Sequence, residues 1–162
     1  MRASSSLLER VLRGMVIVFF SIMVVSTIAQ VISRYFVRYP LGWTEELARI
    51  MFIWSAFLSV GLLAGQNMLL KIEAFLDYMP QRVKDWAFII TGIISGFSSF
   101  WLAFLGIRLL DLAKTQLSPA LRIPYWYIYL SLPLGLALSG YYMISHSLRK
   151  LTVTLGGGGG YK

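Results

Sequence analysis

No cysteine occurs in the chain, so disulfides and thiolate metal sites are excluded. Histidine occurs once, at His146, which leaves no second imidazole for a metal cluster of histidines and carboxylates. His146 itself is read as an interfacial polar residue. There is no glycine-rich phosphate loop and no dinucleotide fingerprint; the glycines fall in apolar stretches or in the C-terminal run. Nothing marks a nucleophile elbow. These absences together argue against an enzyme, and no cofactor is expected in this chain. Acidic residues are scarce, seven against fifteen Lys and Arg, giving a net charge of +8. In a soluble protein such an excess suggests nucleic acid. Here the basic residues flank apolar runs, so membrane lipid headgroups are the natural counter-charge and no nucleic-acid partner is inferred.

Charge is also missing from four long stretches. Gly14–Ser33, Ile50–Leu70, Trp86–Ile107 and Ile123–Leu148 contain no Asp, Glu, Lys or Arg over 20, 21, 22 and 26 residues. Each is long enough to cross a hydrocarbon core of about 30 Å as a helix rising 1.5 Å per residue. The runs are continuously apolar, not alternating, which disfavours a barrel. With 57% hydrophobic residues in 162, the chain could not bury its apolar surface as a soluble domain. The expected fold is an all-α integral membrane protein with four transmembrane helices. The spans fall at about 14–36, 44–66, 82–114 and 123–148, within a single membrane domain over 1–155. The first run lacks a small-x-small cleavage site and exceeds a typical signal core, so it is read as a retained span.

Between spans the chain has distinct features. Leu7, Leu8, Val11 and Leu12 share a helical face and suggest an interfacial lead-in. Residues 68–79 place Leu69, Ile72, Leu76 and Met79 on one face, an amphipathic helix too short to span and suited to the membrane surface. Gly61-x-x-x-Gly65 and Gly92-x-x-x-Gly96 provide small residues at helical spacing for close backbone approach. Arg108, Asp111 and Lys114 can pair at i,i+3 where the third span overruns the core. Pro119 and Pro124 disfavour a helix in the following loop, and Pro133 predicts a kink near Tyr129. The fourth span is expected to end near His146. The tail 156–162 is glycine-rich and read as flexible.

With four spans, both termini share a side. That side carries nine Lys and Arg against six on the other, which favours cytoplasmic termini.

A cluster of charge lies in Trp43-Thr44-Glu45-Glu46-Leu47-Ala48-Arg49, at the mouth of the second span. Thr44 is the expected N-cap, with Glu45 and Glu46 in the first turn where the helix dipole favours anions. Either carboxylate can reach Arg49 within the helix. The bland reading is a capped helix start; the sharper one is a contact with Arg34, Arg38 or a partner protein. Trp43 is read first as a membrane-interface anchor. No span carries a carboxylate or lysine at its midpoint, where ion-coupled carriers commonly place one. The chain therefore does not read as a complete transporter.

Arg34-Tyr35, then Trp43 to Arg49, then Phe52-Ile53-Trp54, resembles the hallmark region of the small membrane subunit of tripartite ATP-independent periplasmic (TRAP) transporters. Ser118-Pro119-Ala120-Leu121-Arg122-Ile123-Pro124, followed by Ile128-Tyr129-Leu130 and Pro133-Leu134-Gly135, resembles that family's second signature. The likeness covers nearly the whole chain before the tail. One departure is the stretch Gln66 to Glu73, which lacks the histidine often found after the second span. No role is carried over to that position.

The resemblance implies a non-catalytic scaffold in a bacterial inner membrane. Its partners would be a large multi-span permease subunit holding the sodium and substrate sites, and a periplasmic solute-binding protein. Transport would be sodium-driven uptake of an organic acid, of dicarboxylate or sialic-acid type. Arg34, Trp43, Glu45, Glu46, Arg49, Trp54, Ser118, Pro119, Arg122 and Pro124 become candidates for structural or partner-docking roles. Two other classes remain open: a self-sufficient small homo-oligomeric transporter, and a membrane anchor or accessory subunit of an enzyme complex. A four-span multidrug carrier relies on a carboxylate in its first span, and Gly14–Ser33 has none.

Overall fold

The computed structural model describes residues 7–37, 41–66 and 80–156. Among the described residues, five α-helices follow one another: α1 (Leu7–Ile32), α2 (Gly42–Gly65), α3 (Gln81–Ala113), the short α4 (Tyr125–Tyr129) and α5 (Ser131–Gly156). A π-helical turn, Ser33–Val37, extends α1. Four segments among the described residues are long and apolar enough to cross a membrane: Leu7–Phe36, Gly42–Gly65, Val83–Ala113 and Tyr125–Thr152. The chain is an all-α membrane protein. The interfacial helix expected at 68–79 lies outside the described residues, as does the tail beyond Gly156.

The long helices stand in a row. α1 packs on α2, α2 on α5, and α5 on α3. Each of the two sequential hairpins, α1–α2 and α3–α5, sends its second helix to the centre. There α2 and α5 run in the same direction. Gly61 lies beside Leu138, and Gly65 beside Tyr142 and His146. Large apolar side chains such as Ile17, Phe20, Phe52, Phe97, Trp101 and Leu112 remain exposed along the row. In water that would drive aggregation; in hydrocarbon it carries no such penalty.

What joins the helices is close approach, not bulk. Among the described residues, the largest fully buried side chains are Thr44, Ser118, Ser131, Ser139 and Ser147, all small. Helical hydroxyls bond back to their own helix, as Ser59 Oγ does to the Ser55 carbonyl at 2.6 Å and Ser147 Oγ to Met143 at 2.9 Å. They are thereby satisfied without a partner helix. At the α2–α5 contact a Cβ on Gly135 would lie 2.7 Å from the Phe57 carbonyl carbon. Between α3 and α5, Gly140 faces Gly96: a Cβ on Gly140 would meet the Gly96 oxygen at 3.0 Å. Only glycine allows these backbones so near.

Several boundaries differ from the sequence reading. The first helix begins at Leu7 and is continuous with the span, so the lead-in is not a separate element. The last helix continues past His146 to Gly156, because no breaker intervenes before the glycine run. At the kink expected from Pro133 the helix is interrupted for one residue, Leu130, which keeps helical angles (φ −60°, ψ −28°). α4 ends at Tyr129 and α5 starts at Ser131, since Pro133 has no N–H for the Tyr129 carbonyl. Regular bonding resumes with Leu134 N–H to the Leu130 carbonyl, at 3.4 Å.

Candidate functional site

The charged cluster sits at the start of α2, beside the loop that joins α3 to α4. Its local structure corrects the capping expectation. The N-cap is Leu41 (φ −85°, ψ 93°), and no side chain caps the helix. Thr44 lies inside the first turn. Its hydroxyl donates to the Leu41 carbonyl at 2.7 Å, as does its backbone N–H at 3.2 Å. Helix entry at Gly42 displaces Thr44 from the cap. Glu45 remains in the first turn, and Glu46 falls beyond it.

The two carboxylates have separate partners. Glu45 Oε1 accepts from Arg49 Nη2 at 3.1 Å, an exposed i,i+4 pair. Its other oxygen accepts from Gln30 Nε2 of α1 at 3.5 Å, a weak contact at that length. Glu46 turns the other way. Its Oε2 accepts two backbone N–H groups, Ala120 at 3.0 Å and Leu121 at 2.6 Å. The first signature is thereby joined to the second across more than seventy residues. Arg34 is exposed in the π-helical turn, and Glu46 does not use it. Arg38 lies outside the described residues.

The loop's own bonding explains why those two amides await an acceptor. Ser118 is almost wholly buried and serves as its hub. Ser118 N–H donates to the Ile123 carbonyl at 2.9 Å, and the Ser118 carbonyl accepts from Arg122 N–H at 3.1 Å. Ser118 Oγ accepts from Ile123 N–H at 3.3 Å. Leu117 and Pro124 form an antiparallel bridge, and Tyr125 N–H donates to the Gln116 carbonyl at 3.0 Å. Pro119 has no N–H. Arg122 adopts φ 53°, the left-handed region, which costs an ordinary residue about 1–2 kcal/mol. That turn leaves the Ala120 and Leu121 amides pointing together, a small anion-binding nest filled by a side chain of the same protein. A carboxylate accepting two main-chain donors forms stronger bonds than a neutral acceptor. The loop tip also rests near the start of α2: a Cβ on Gly42 would be 3.9 Å from Ala120 Cβ.

Below Glu46, α2 and α4 enclose a groove of about 200 Å³. Ile50, Ile53 and Ile128 form its apolar floor, and Glu46, Arg49, Tyr125 and Tyr129 its polar mouth. Trp43 is 47% exposed at the helix start. Trp54 lies deeper, edge-on to Phe19 of α1 with ring centroids 6.0 Å apart. Pro124 is the N-cap of α4, while Pro119 and Arg122 are exposed at the loop. The structure thus brings Glu46, Ser118 and the loop prolines together, and keeps Arg34 and Trp54 apart from them.

The opposite end of the row holds residues that sequence reasoning did not link. His146 Nε2 is 3.0 Å from the Gly65 carbonyl and, as donor, satisfies one of the carbonyls left open at the end of α2. Lys150 Nζ pairs with Asp85 at 2.8 Å and lies 4.5 Å over the Phe88 ring, tying α5 to α3. Back at the Glu46 end, of the expected Arg108–Asp111–Lys114 set, Lys114 pairs with Asp111 at 2.7 Å, and Arg108 lies over Phe104. A long-range side-chain-to-carbonyl bond leaves no periodic trace in sequence, which is why His146 read only as interfacial.

Residues 23–153 match the family described as tripartite ATP-independent periplasmic transporters, DctQ component. The chain belongs to that family. It is a small permease component of a TRAP transporter and not an enzyme. It is similar to the ectoine TRAP transporter small permease protein TeaB of Halomonas elongata, 28% identical over 81% of this chain and 69% of that protein. It is also similar to the isethionate TRAP transporter permease protein DctMQ of Oleidesulfovibrio alaskensis, 35% identical over 59% of this chain. That match spans only 15% of DctMQ. The sialic acid TRAP transporter permease protein SiaT of Haemophilus influenzae matches at 26% over 65% of this chain and 17% of its own length.

Proposed function

We propose that this TRAP component is the non-transporting scaffold of a sodium-driven importer in a bacterial inner membrane. It works beside a large multi-span permease subunit and receives a periplasmic solute-binding protein at the Glu46 end, with both termini cytoplasmic. The observation that carries the scaffold reading is where charge sits. Among the described residues, every Asp, Glu, Lys and Arg lies within about two turns of a helix end or in a loop. A moving ion or anionic solute needs compensating charge or broken helices near the midplane, and this row supplies rigid, close-packed helices instead. The matches to one segment of the much longer DctMQ and SiaT support partnership with a larger permease. Sodium coupling then belongs to that partner. The relatives' names span ectoine, isethionate and sialic acid, so relatedness does not select the solute; an organic acid remains the proposed class.

Reconstitution in proteoliposomes tests this. Uptake is expected only when the chain, its large subunit and the binding protein are present with an inward sodium gradient. Uptake by the purified chain alone refutes the scaffold reading.

A further inference from the structure

We propose that Glu46 is a positioning residue for docking: its carboxylate holds the Pro119–Arg122 tip in a preset shape for the binding protein. This rests on the functional reading above.

Three observations support it. Glu46 takes both amides of the tip, on Ala120 and Leu121, and it comes from the other hairpin of the row. The tip has an unfavourable left-handed residue at Arg122, which needs outside support to persist. Pro119, Ala120 and Arg122 are nonetheless exposed, so the shape that Glu46 maintains is available to a partner. A loop ordered before contact spares the partner the entropy of ordering it. Glu45 and Arg49 occupy each other and do not share this task.

The test uses the complete transporter with Glu46→Ala, Glu46→Gln and Glu46→Asp. Uptake is measured against binding-protein concentration, and backbone amide exchange is followed at Ala120 and Leu121. In Glu46→Ala, exchange at both amides should accelerate and the half-saturating binding-protein concentration should rise about tenfold, equivalent to about 1.4 kcal/mol. Maximal uptake and complex yield should stay unchanged. Glu46→Gln keeps an uncharged acceptor at the same reach and should recover part of the shift. Glu46→Asp is one methylene short and should resemble the alanine variant. Unchanged exchange, or freed amides with an unchanged half-saturation, overturns the proposal. So does a fall in yield or maximal uptake alone, which would make Glu46 merely structural. Wild-type uptake indifferent to the binding protein would instead remove the functional reading, and that is visible before any variant is made.

Discussion

Gly135→Ala is the sharpest test of how the row is held together. The added methyl would point at the Phe57 backbone, 2.7 Å from its carbonyl carbon and 2.8 Å from its Cβ. Ordinary contact begins near 3.4 Å, so α2 and α5 must part by several tenths of an ångström. Phe57 cannot yield by changing rotamer, because the obstacle is main chain inside a helix. A gap of 0.5–1 Å forfeits a quarter to a half of each dispersion contact it opens. Overpacking of this kind costs about 1–3 kcal/mol. It acts where the two hairpins meet, so the loss should fall on the whole row. Thermal unfolding of the purified protein in detergent should show a lower midpoint by about 5 °C, using about 2–4 °C per kcal/mol for a chain of this size. Gly14→Ala is the control: its Cβ would meet nothing within 4 Å, and alanine favours the helix. A Gly135→Ala protein as stable as the Gly14→Ala control would refute close backbone packing as the link between hairpins.

Two further outcomes concern the opposite end of the row. His146→Ala leaves the Gly65 carbonyl without its donor and should cost about 0.5–1.5 kcal/mol. Amide exchange should rise in the last turn of α2, and His146→Gln should recover part of the protection. Asp85 and Lys150 are each about one-third exposed, so their coupling in a double-mutant cycle should be no more than about 1 kcal/mol. The exchanged pair Asp85→Lys with Lys150→Asp should recover most of it. Lys150→Ala should cost slightly more than Asp85→Ala, because it also removes the cation over Phe88.

The spans were legible because a charge-free run of twenty residues has few alternatives to a membrane helix. Helix pairing was less so. Gly61, Gly65 and Gly96 announced close packing by their spacing, but not that all three face α5. Gly135 was visible only as part of a family signature, although it makes a tighter approach than the spaced pairs. Thr44 misled because its hydroxyl suits a cap, whereas the helix is entered three residues earlier, with Leu41 as its N-cap. The hydroxyl then bonds backward to Leu41 instead of forward. Both signatures were readable, but not that they are two halves of one contact. Hydrogen bonds from main-chain amides to a distant carboxylate depend on loop conformation, here on Arg122 in the left-handed region.

The placement of polar links follows from the same solvent argument. Within hydrocarbon, lipid tails are as apolar as leucine, so burying Leu or Phe between helices gains little over leaving it exposed. The interior of the row accordingly uses glycine and serine, with hydroxyls turned back on their own helices. Directional polar links between hairpins are then useful only where water begins. That is where they occur among the described residues: Glu46 to the loop at one end of α2, His146 to Gly65 at the other. Each link satisfies backbone groups that would otherwise need water or a cap. Each also joins α2 to the α3–α5 hairpin, opposing the sliding that close-packed glycine faces permit. A helix pinned at both ends to its neighbour is a poor gate and a good strut, which suits the scaffold role proposed above.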